Sequence, residues 1–264
     1  MAVYFVTDFH LGIPSLADSR EREQKLLRFL DMIRPDCEEL YLMGDLFDFW
    51  FEYKTVIPKG FVRLQGKLAA FTDAGIPVHL FIGNHDLWAF GYLHDELGIN
   101  LHREPVVKTL KGKKFFLVHG DGQGPGDGGY KFLKKVFECK FNQLLFRWLH
   151  PDIGIGLALK WSHRHRLKKL RNEVERGYYD NIPQTRLYRY AQEQAKRDPT
   201  IDFFIFGHQH KPMQYETGGH ALTTVVGNWI YDFTYAVFDG EKIALKRFED
   251  TGQATTDGSG RQTP

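Results

Sequence analysis

Apolar residues in the first third of the chain come in short runs separated by amphipathic stretches. Residues 3–7, 40–43 and 77–82 are runs of strand length. Between them, 20–34 and 61–74 read as helices; Leu26, Leu27, Leu30 and Ile33 recur at helical spacing in the first. Gly75 and Pro77 supply the stop expected after the second. This alternation predicts βαβ units and a mainly parallel sheet with helices on its faces. Residues 114–118 and 203–206 continue the strand series. After His210 the pattern shortens to 213–216, 221–226, 235–238 and 243–248, with Asp239-Gly240 as a hairpin turn, so an antiparallel close is expected. Residues 250–264 are polar and rich in Gly and Thr, and are expected not to pack, which leaves 1–249 as a single domain.

The rhythm breaks between Gly122 and Pro199. Residues 122–129 form a Gly-rich loop, after which Leu133, Val136, Phe137, Phe141, Leu144, Leu145 and Trp148 make one apolar stripe on a helix. Lys134, Lys135 and Gln143 lie off that stripe. Further helical stretches at 155–174 and 183–196 complete an all-helical insertion at about 123–199, expected to sit beside the functional site as a cap.

Charge changes this picture more than composition does. The chain of 264 residues has 42% hydrophobic and 26% charged residues and a net charge of +2, values of a globular protein. Yet 131–171 holds eleven Lys or Arg against two acids, so +9 sits there and −7 elsewhere. An acidic ligand or an anionic surface is the expected neighbour of that segment. No apolar run approaches the ~20 residues of a membrane span, and the N-terminus reads as a strand instead of a signal peptide. A cytoplasmic location is expected. Cys37 and Cys139 give neither a disulfide framework nor zinc spacing.

Five segments place donor side chains where strand-like runs meet loops: Asp8 and His10; Asp45 and Asp48; Asn84, His85 and Asp86; His119 and Asp121; His208 and His210. At the C-terminal edge of an open α/β sheet, such segments collect in one place. Oxygen and imidazole donors without sulfur suit hard or borderline divalent cations. On an extended backbone Asp8 and His10 point the same way, as do His208 and His210. A pair of cations needs a bridging oxygen donor, which Asp45 can supply.

The pattern D-x-H, G-D-x-x-D, G-N-H-D, H-G-D and G-H-x-H resembles the calcineurin-like metallophosphoesterase superfamily across residues 8–210. The resemblance implies an α/β fold, a β-sandwich flanked by helices in αββα layers. It assigns one metal to Asp8, His10, Asp45 and His210, and a second to Asp45, Asn84, His119 and His208, with Mn2+ the expected ion at both. Two cations acidify a shared water, so no protein nucleophile is needed. His85 is then the expected proton or hydrogen-bond donor, held by Asp86, and Asp121 is expected to orient His119.

The segment 44–50 and the basic helical insertion are most similar to the UDP-2,3-diacylglucosamine pyrophosphatase branch, which makes lipid X and UMP in lipid A synthesis. That likeness carries Asp127 and Tyr130 over as substrate contacts. It implies a lipid-linked nucleotide sugar as substrate and peripheral contact with the cytoplasmic face of the inner membrane. One position departs: that branch usually has Arg where this chain has His85. Other esters stay open on the residues alone, namely a nucleotide, a phosphomonoester or a nucleic-acid end, with Phe132, Phe146, Trp148 and Trp161 as stacking candidates. A binding scaffold with a dead metal site is the remaining reading.

Overall fold

The computed structural model describes residues 1–13, 15–162 and 185–249. The tail expected at 250–264 and the greater part of the helix expected at 155–174 lie outside the described residues.

Two mixed sheets pack face to face. The first has six strands in the order β11-β10-β1-β2-β3-β4: β1 (Ala2–Val6), β2 (Cys37–Leu42), β3 (Val78–Phe81), β4 (Asn100–His102), β10 (Thr234–Phe238) and β11 (Ile243–Arg247). The second has five in the order β5-β6-β7-β9-β8: β5 (Val106–Leu110), β6 (Lys113–Val118), β7 (Phe203–Phe206), β8 (Met213–Gly218) and β9 (Ala221–Val225). The βαβ rhythm holds for β1 to β4, which run parallel. Beyond β4 the rhythm gives way to the second sheet of the expected sandwich: β5 and β6 pair antiparallel, and β6, β7 and β9 are parallel.

Pleating sorts the core. On the shared inner faces Val3, Phe5, Tyr41 and Phe81 meet Phe115, Leu117, Phe203 and Ile205, and alternate residues of the same strands point outward. Outward residues of the first sheet, such as Val6, Leu40, Leu42 and Leu80, pack with α1 (Leu16–Ile33) and α2 (Val62–Asp73) through Leu26, Phe29, Leu30, Leu64 and Leu68. The second sheet is covered by α7 (Arg186–Arg197) through Leu187 and Ala191. These are the expected αββα layers. A short α3 (Tyr92–Asp95) joins β3 to β4.

The cap departs from its expected form. The apolar stripe belongs to two helices, α4 (Gly128–Glu138) and α5 (Lys140–Trp148), split where Cys139 turns extended at φ −63°, ψ 117°. The break resets the helical phase. Leu133, Val136 and Phe137 stay half-buried, whereas Phe141, Leu144, Leu145 and Trp148 are exposed. Phe146, outside the stripe, turns inward onto Phe51 and Trp88 at ring distances of 4.7 and 4.8 Å. A third cap helix, α6 (151–162), follows.

Candidate metal centre

Five parallel strands deliver the motif loops to one edge of the sandwich. Asp8 follows β1, Asp45 follows β2, Asn84 follows β3, His119 follows β6 and His208 follows β7. The expected extended geometry for Asp8 and His10 is not what brings them together. Both lie past the strand end with left-handed φ of 55° and 44°, as do Asp45 at 55° and His208 at 62°. Four of the eight non-glycine residues with positive φ among the described residues are therefore candidate ligands, held in a costly conformation that tight turns impose. Backbone bonds tie the turns together: Asp8 N to Gly44 O at 2.9 Å and His10 N to Asp45 O at 3.0 Å.

The donors form groups whose ligating atoms lie within 4.8 Å of one another: Asp8 with His10 and His210, and Asp45 with His119 and His208. Asp45 joins them, its Oδ2 standing 3.6 Å from His10 Nε2 and 3.4 Å from His119 Nε2. His210 Nε2 is 3.1 Å from Asp8 Oδ1. Asn84 Oδ1 and His119 Nε2 are buried with no hydrogen-bond partner. Unpartnered buried polar atoms are costly, and His119 Nε2 belongs to the donor group around Asp45, where a cation would satisfy it. Glycines leave the room: a Cβ on Gly83 would meet Asp45 Oδ1 at 2.2 Å, and one on Gly44 would meet His119 Nδ1 at 2.3 Å. The all-nitrogen and oxygen donor set fits divalent metal ions.

Buried carboxylates and imidazoles in the centre set one another's ionisation. Burial opposes ionisation of Asp8, yet the hydrogen bonds of His10 and His210 hold its carboxyl well below the usual range. Burial is likewise outweighed at Asp45 by the positive charge of His119 and His85. Burial alone would lower His119, but Asp45 pushes it up to about 10. A metal must displace the His119 proton, so metal binding releases protons.

Around the donors, several contacts differ from expectation. Asp86 does not hold the His85 ring. Its carboxylate accepts from Leu46 N at 3.0 Å and Phe47 N at 3.3 Å, and burial followed by the charge of Asp45 raises it to about 8. The His85 ring meets Asp48 instead, with Nδ1 at 2.7 Å from the carbonyl oxygen and 3.6 Å from Oδ1. Asp48 Oδ1 also lies 3.8 Å from His10 Nδ1. The second acid of Gly44-Asp45-Leu46-Phe47-Asp48 was the signal for this role. His119 is oriented by Met43 O at 2.6 Å, not by Asp121, whose carboxylate takes the Tyr130 hydroxyl at 2.6 Å and Lys134 Nζ at 2.8 Å. Lys134 thus faces the centre instead of solvent. Asp127 pairs with Arg186 of α7. A sixth loop, after β9, was not anticipated: Asn228 Nδ2 donates to His210 O at 2.6 Å, and Trp229 N to Asp8 O at 3.1 Å.

A family model described as calcineurin-like phosphoesterase matches residues 1–212. The chain belongs to the calcineurin-like phosphoesterase family. It is accordingly a hydrolase, with the divalent metal ions of that family as its cofactors. A UDP-2,3-diacylglucosamine hydrolase of Porphyromonas gingivalis is 36% identical over 262 residues, covering 94% of this chain and 98% of the relative. A protein of the same name from Histophilus somni is 26% identical, covering 86% of this chain and 91% of its own. Among solved structures, Yfce, a phosphoesterase from E. coli, covers 96% of both chains at 13% identity and a TM-score of 0.46.

Proposed function

We propose that this phosphoesterase hydrolyses UDP-2,3-diacylglucosamine to lipid X and UMP. Asp8, His10, Asp45 and His210 would hold one divalent cation, and Asp45, Asn84, His119 and His208 a second; resemblance to similar bacterial enzymes makes Mn2+ the expected occupant, although these donors also suit Fe, Zn or Co. The observation that carries the reading is the 36% identity, across nearly all of both chains, to a relative named for that substrate. When bound, the two cations supply Lewis-acid polarisation of the phosphoryl group and a water acidified toward neutrality.

The rest is the chain's own work. The bond of His119 Nδ1 to Met43 O fixes Nε2 as the ligating nitrogen. His85 Nδ1 donates to Asp48 O, so a proton held at Nε2 is the one passed to the leaving oxygen. Tyr130 donates to Asp121 and keeps its own lone pairs for the substrate's hydroxyls, while Asp127 sits at the N-terminus of α4 beside it. Both are proposed nucleotide-sugar contacts. Beneath the cap, Phe49, Phe51, Trp88, Phe137 and Phe146 provide an apolar wall for acyl chains.

The cap is proposed to be an insertion at 123–199 in a single domain of 1–249, resting on the anionic cytoplasmic leaflet of the inner membrane. Among the described residues no helix is long and apolar enough to cross a membrane. Support for surface contact comes from exposed Phe141, Leu144, Leu145 and Trp148, interleaved with Lys140 and Arg147. Incubating the protein with UDP-2,3-diacylglucosamine and Mn2+ tests the whole reading by release of UMP. No UMP, together with cleavage of single-stranded nucleic acid or a phosphomonoester, would reverse it.

A further inference from the structure

Among the described residues, one cap hydroxyl reaches the carboxylate behind the two histidines of the centre. Ser162, the last described residue of α6, is buried and donates to Asp48 Oδ2 at 3.0 Å. The other oxygen of the same carboxylate faces His10 Nδ1 at 3.8 Å and His85 Nδ1 at 3.6 Å. One buried carboxylate therefore stands behind a candidate metal ligand and the candidate proton donor, and its remaining oxygen is met by a residue of the cap.

We propose that Ser162 is a positioning residue for phosphoester hydrolysis: its hydroxyl sets the plane of the Asp48 carboxylate, and through it the rings of His10 and His85. Rotation about the bond carrying a carboxylate is soft, with broad and nearly two-fold minima, so Asp48 needs a partner on each oxygen to aim the pair. A hydrogen bond to a charged acceptor in a buried place is among the stronger kinds. The seat of α6 is independently fixed. A Cβ on Gly154 would lie 2.7 Å from Tyr53 Oη and 3.1 Å from Phe146 Cζ, so the helix backbone presses directly on the segment that follows Asp48. The eight steps from Gly154 to Ser162 span about 12 Å at helical rise, which carries the cap from Tyr53 to Asp48. Placing the cap and aiming the two imidazoles are then one event.

The inference rests on reading the centre as a phosphodiester-cleaving site, not on the lipid substrate. The full chain with Mn2+ is assayed on bis(4-nitrophenyl) phosphate, a diester without acyl chains, and free Mn2+ is counted by electron paramagnetic resonance. Ser162→Ala is expected to lower kcat and Mn2+ affinity roughly tenfold each, the range typical of partners behind metal ligands, with KM nearly unchanged. Ser162→Thr, which keeps the hydroxyl, restores both, and Ser162→Ala adds nothing in an Asp48→Asn background. Unchanged kcat and Mn2+ affinity in Ser162→Ala would overturn the proposal. So would a raised KM for UDP-2,3-diacylglucosamine alone, since the hydroxyl would then serve only substrate, and so would additive losses with Asp48→Asn. If the wild type cleaves the small diester but not the lipid, the substrate reading fails while the Ser162 comparison stands. If it cleaves neither, Mn2+ affinity decides.

Discussion

Gly83→Ala tests the carboxylate common to both donor groups by steric crowding alone. The new Cβ would fall 2.2 Å from Asp45 Oδ1 and 2.9 Å from both Asp45 Cγ and Asp45 N. Carbon contacts are comfortable near about 3.5 Å, so the carboxylate must retreat by roughly 1 Å. It has little freedom to do so. Asp45 is already left-handed at φ 55°, its Oδ1 accepts His85 N at 2.9 Å, and its own backbone nitrogen is one of the crowded atoms. Gly83 itself has no left-handed φ, so alanine introduces bulk without backbone strain. Overpacking of this size costs about 1–3 kcal/mol of stability, and a 1 Å displacement at a reacting centre can cost about 100-fold in rate. Urea unfolding, Mn2+ titration and kcat on a small phosphodiester read the three consequences. A variant that binds Mn2+ with full affinity and turns over at the normal rate would refute the reasoning, even if it melted earlier.

His85→Ala is expected to keep Mn2+ bound and lower kcat about 100-fold or more, as loss of a general acid does; wild-type turnover would remove His85 from the chemistry, and loss of one Mn2+ equivalent would make it a ligand. Away from the centre, the imidazole of His79, 3.3 Å away, works against burial and, with Lys108 and Tyr41, holds Glu39 down at about 2. A depressed carboxylate stabilises the fold above its unfolded value near 4.5 and loses that contribution as pH falls toward 2. Glu39→Gln is therefore expected to cost about 1 kcal/mol at pH 7 after solvent screening, with the difference from wild type vanishing in urea titrations across that window. A difference independent of pH would sink this account. Replacing Phe141 and Trp148, 65% and 83% exposed, by Ser is expected to weaken sedimentation with anionic phospholipid vesicles at least tenfold, since each fully buried side chain of this kind is worth about 1.5–3 kcal/mol. Unchanged sedimentation would exclude α5 from any lipid surface.

The edge that gathers the candidate donors was legible because they are polar residues in places where apolar strands end, a contrast that survives in one dimension. Asp8, Asp45, Asn84, His119 and His208 all follow parallel strands for that reason. The geometry of the turns was not legible. Nothing in Asp8-Phe9-His10 announces left-handed backbone, which is imposed by the bonds of Asp8 N and His10 N to the β2 loop. The family resemblance implied a second sheet, but the residue pattern alone did not mark where it begins, since only its pairing with β6 separates β5 from β4. Partner choice failed in the same way. Asp86 is as near to His85 in sequence as a residue can be, yet two backbone N–H groups claim its carboxylate, and Asp48, thirty-seven positions away, takes the ring.

The cap shows why the substrate side reads less clearly than the chemistry. Helical periodicity identifies a face but not its direction, and the identification holds only while the phase is unbroken. At Cys139 one extended residue interrupts the repeat. Before it, the stripe residues Leu133, Val136 and Phe137 are half-buried; after it, the same spacing places Phe141, Leu144, Leu145 and Trp148 outside, and Phe146 and Gln143 inside. Gln143 then donates to Phe137 O at 3.0 Å, closing the carbonyl that the break left open, while Trp88 Nε1 donates to the same oxygen at 2.9 Å. The break is thus held by partners from both sides and is part of the fold, not a frayed end. Its consequence is a cap with two apolar faces, one toward the aromatic wall over the metal centre and one toward the surroundings. A single continuous helix would have offered only one.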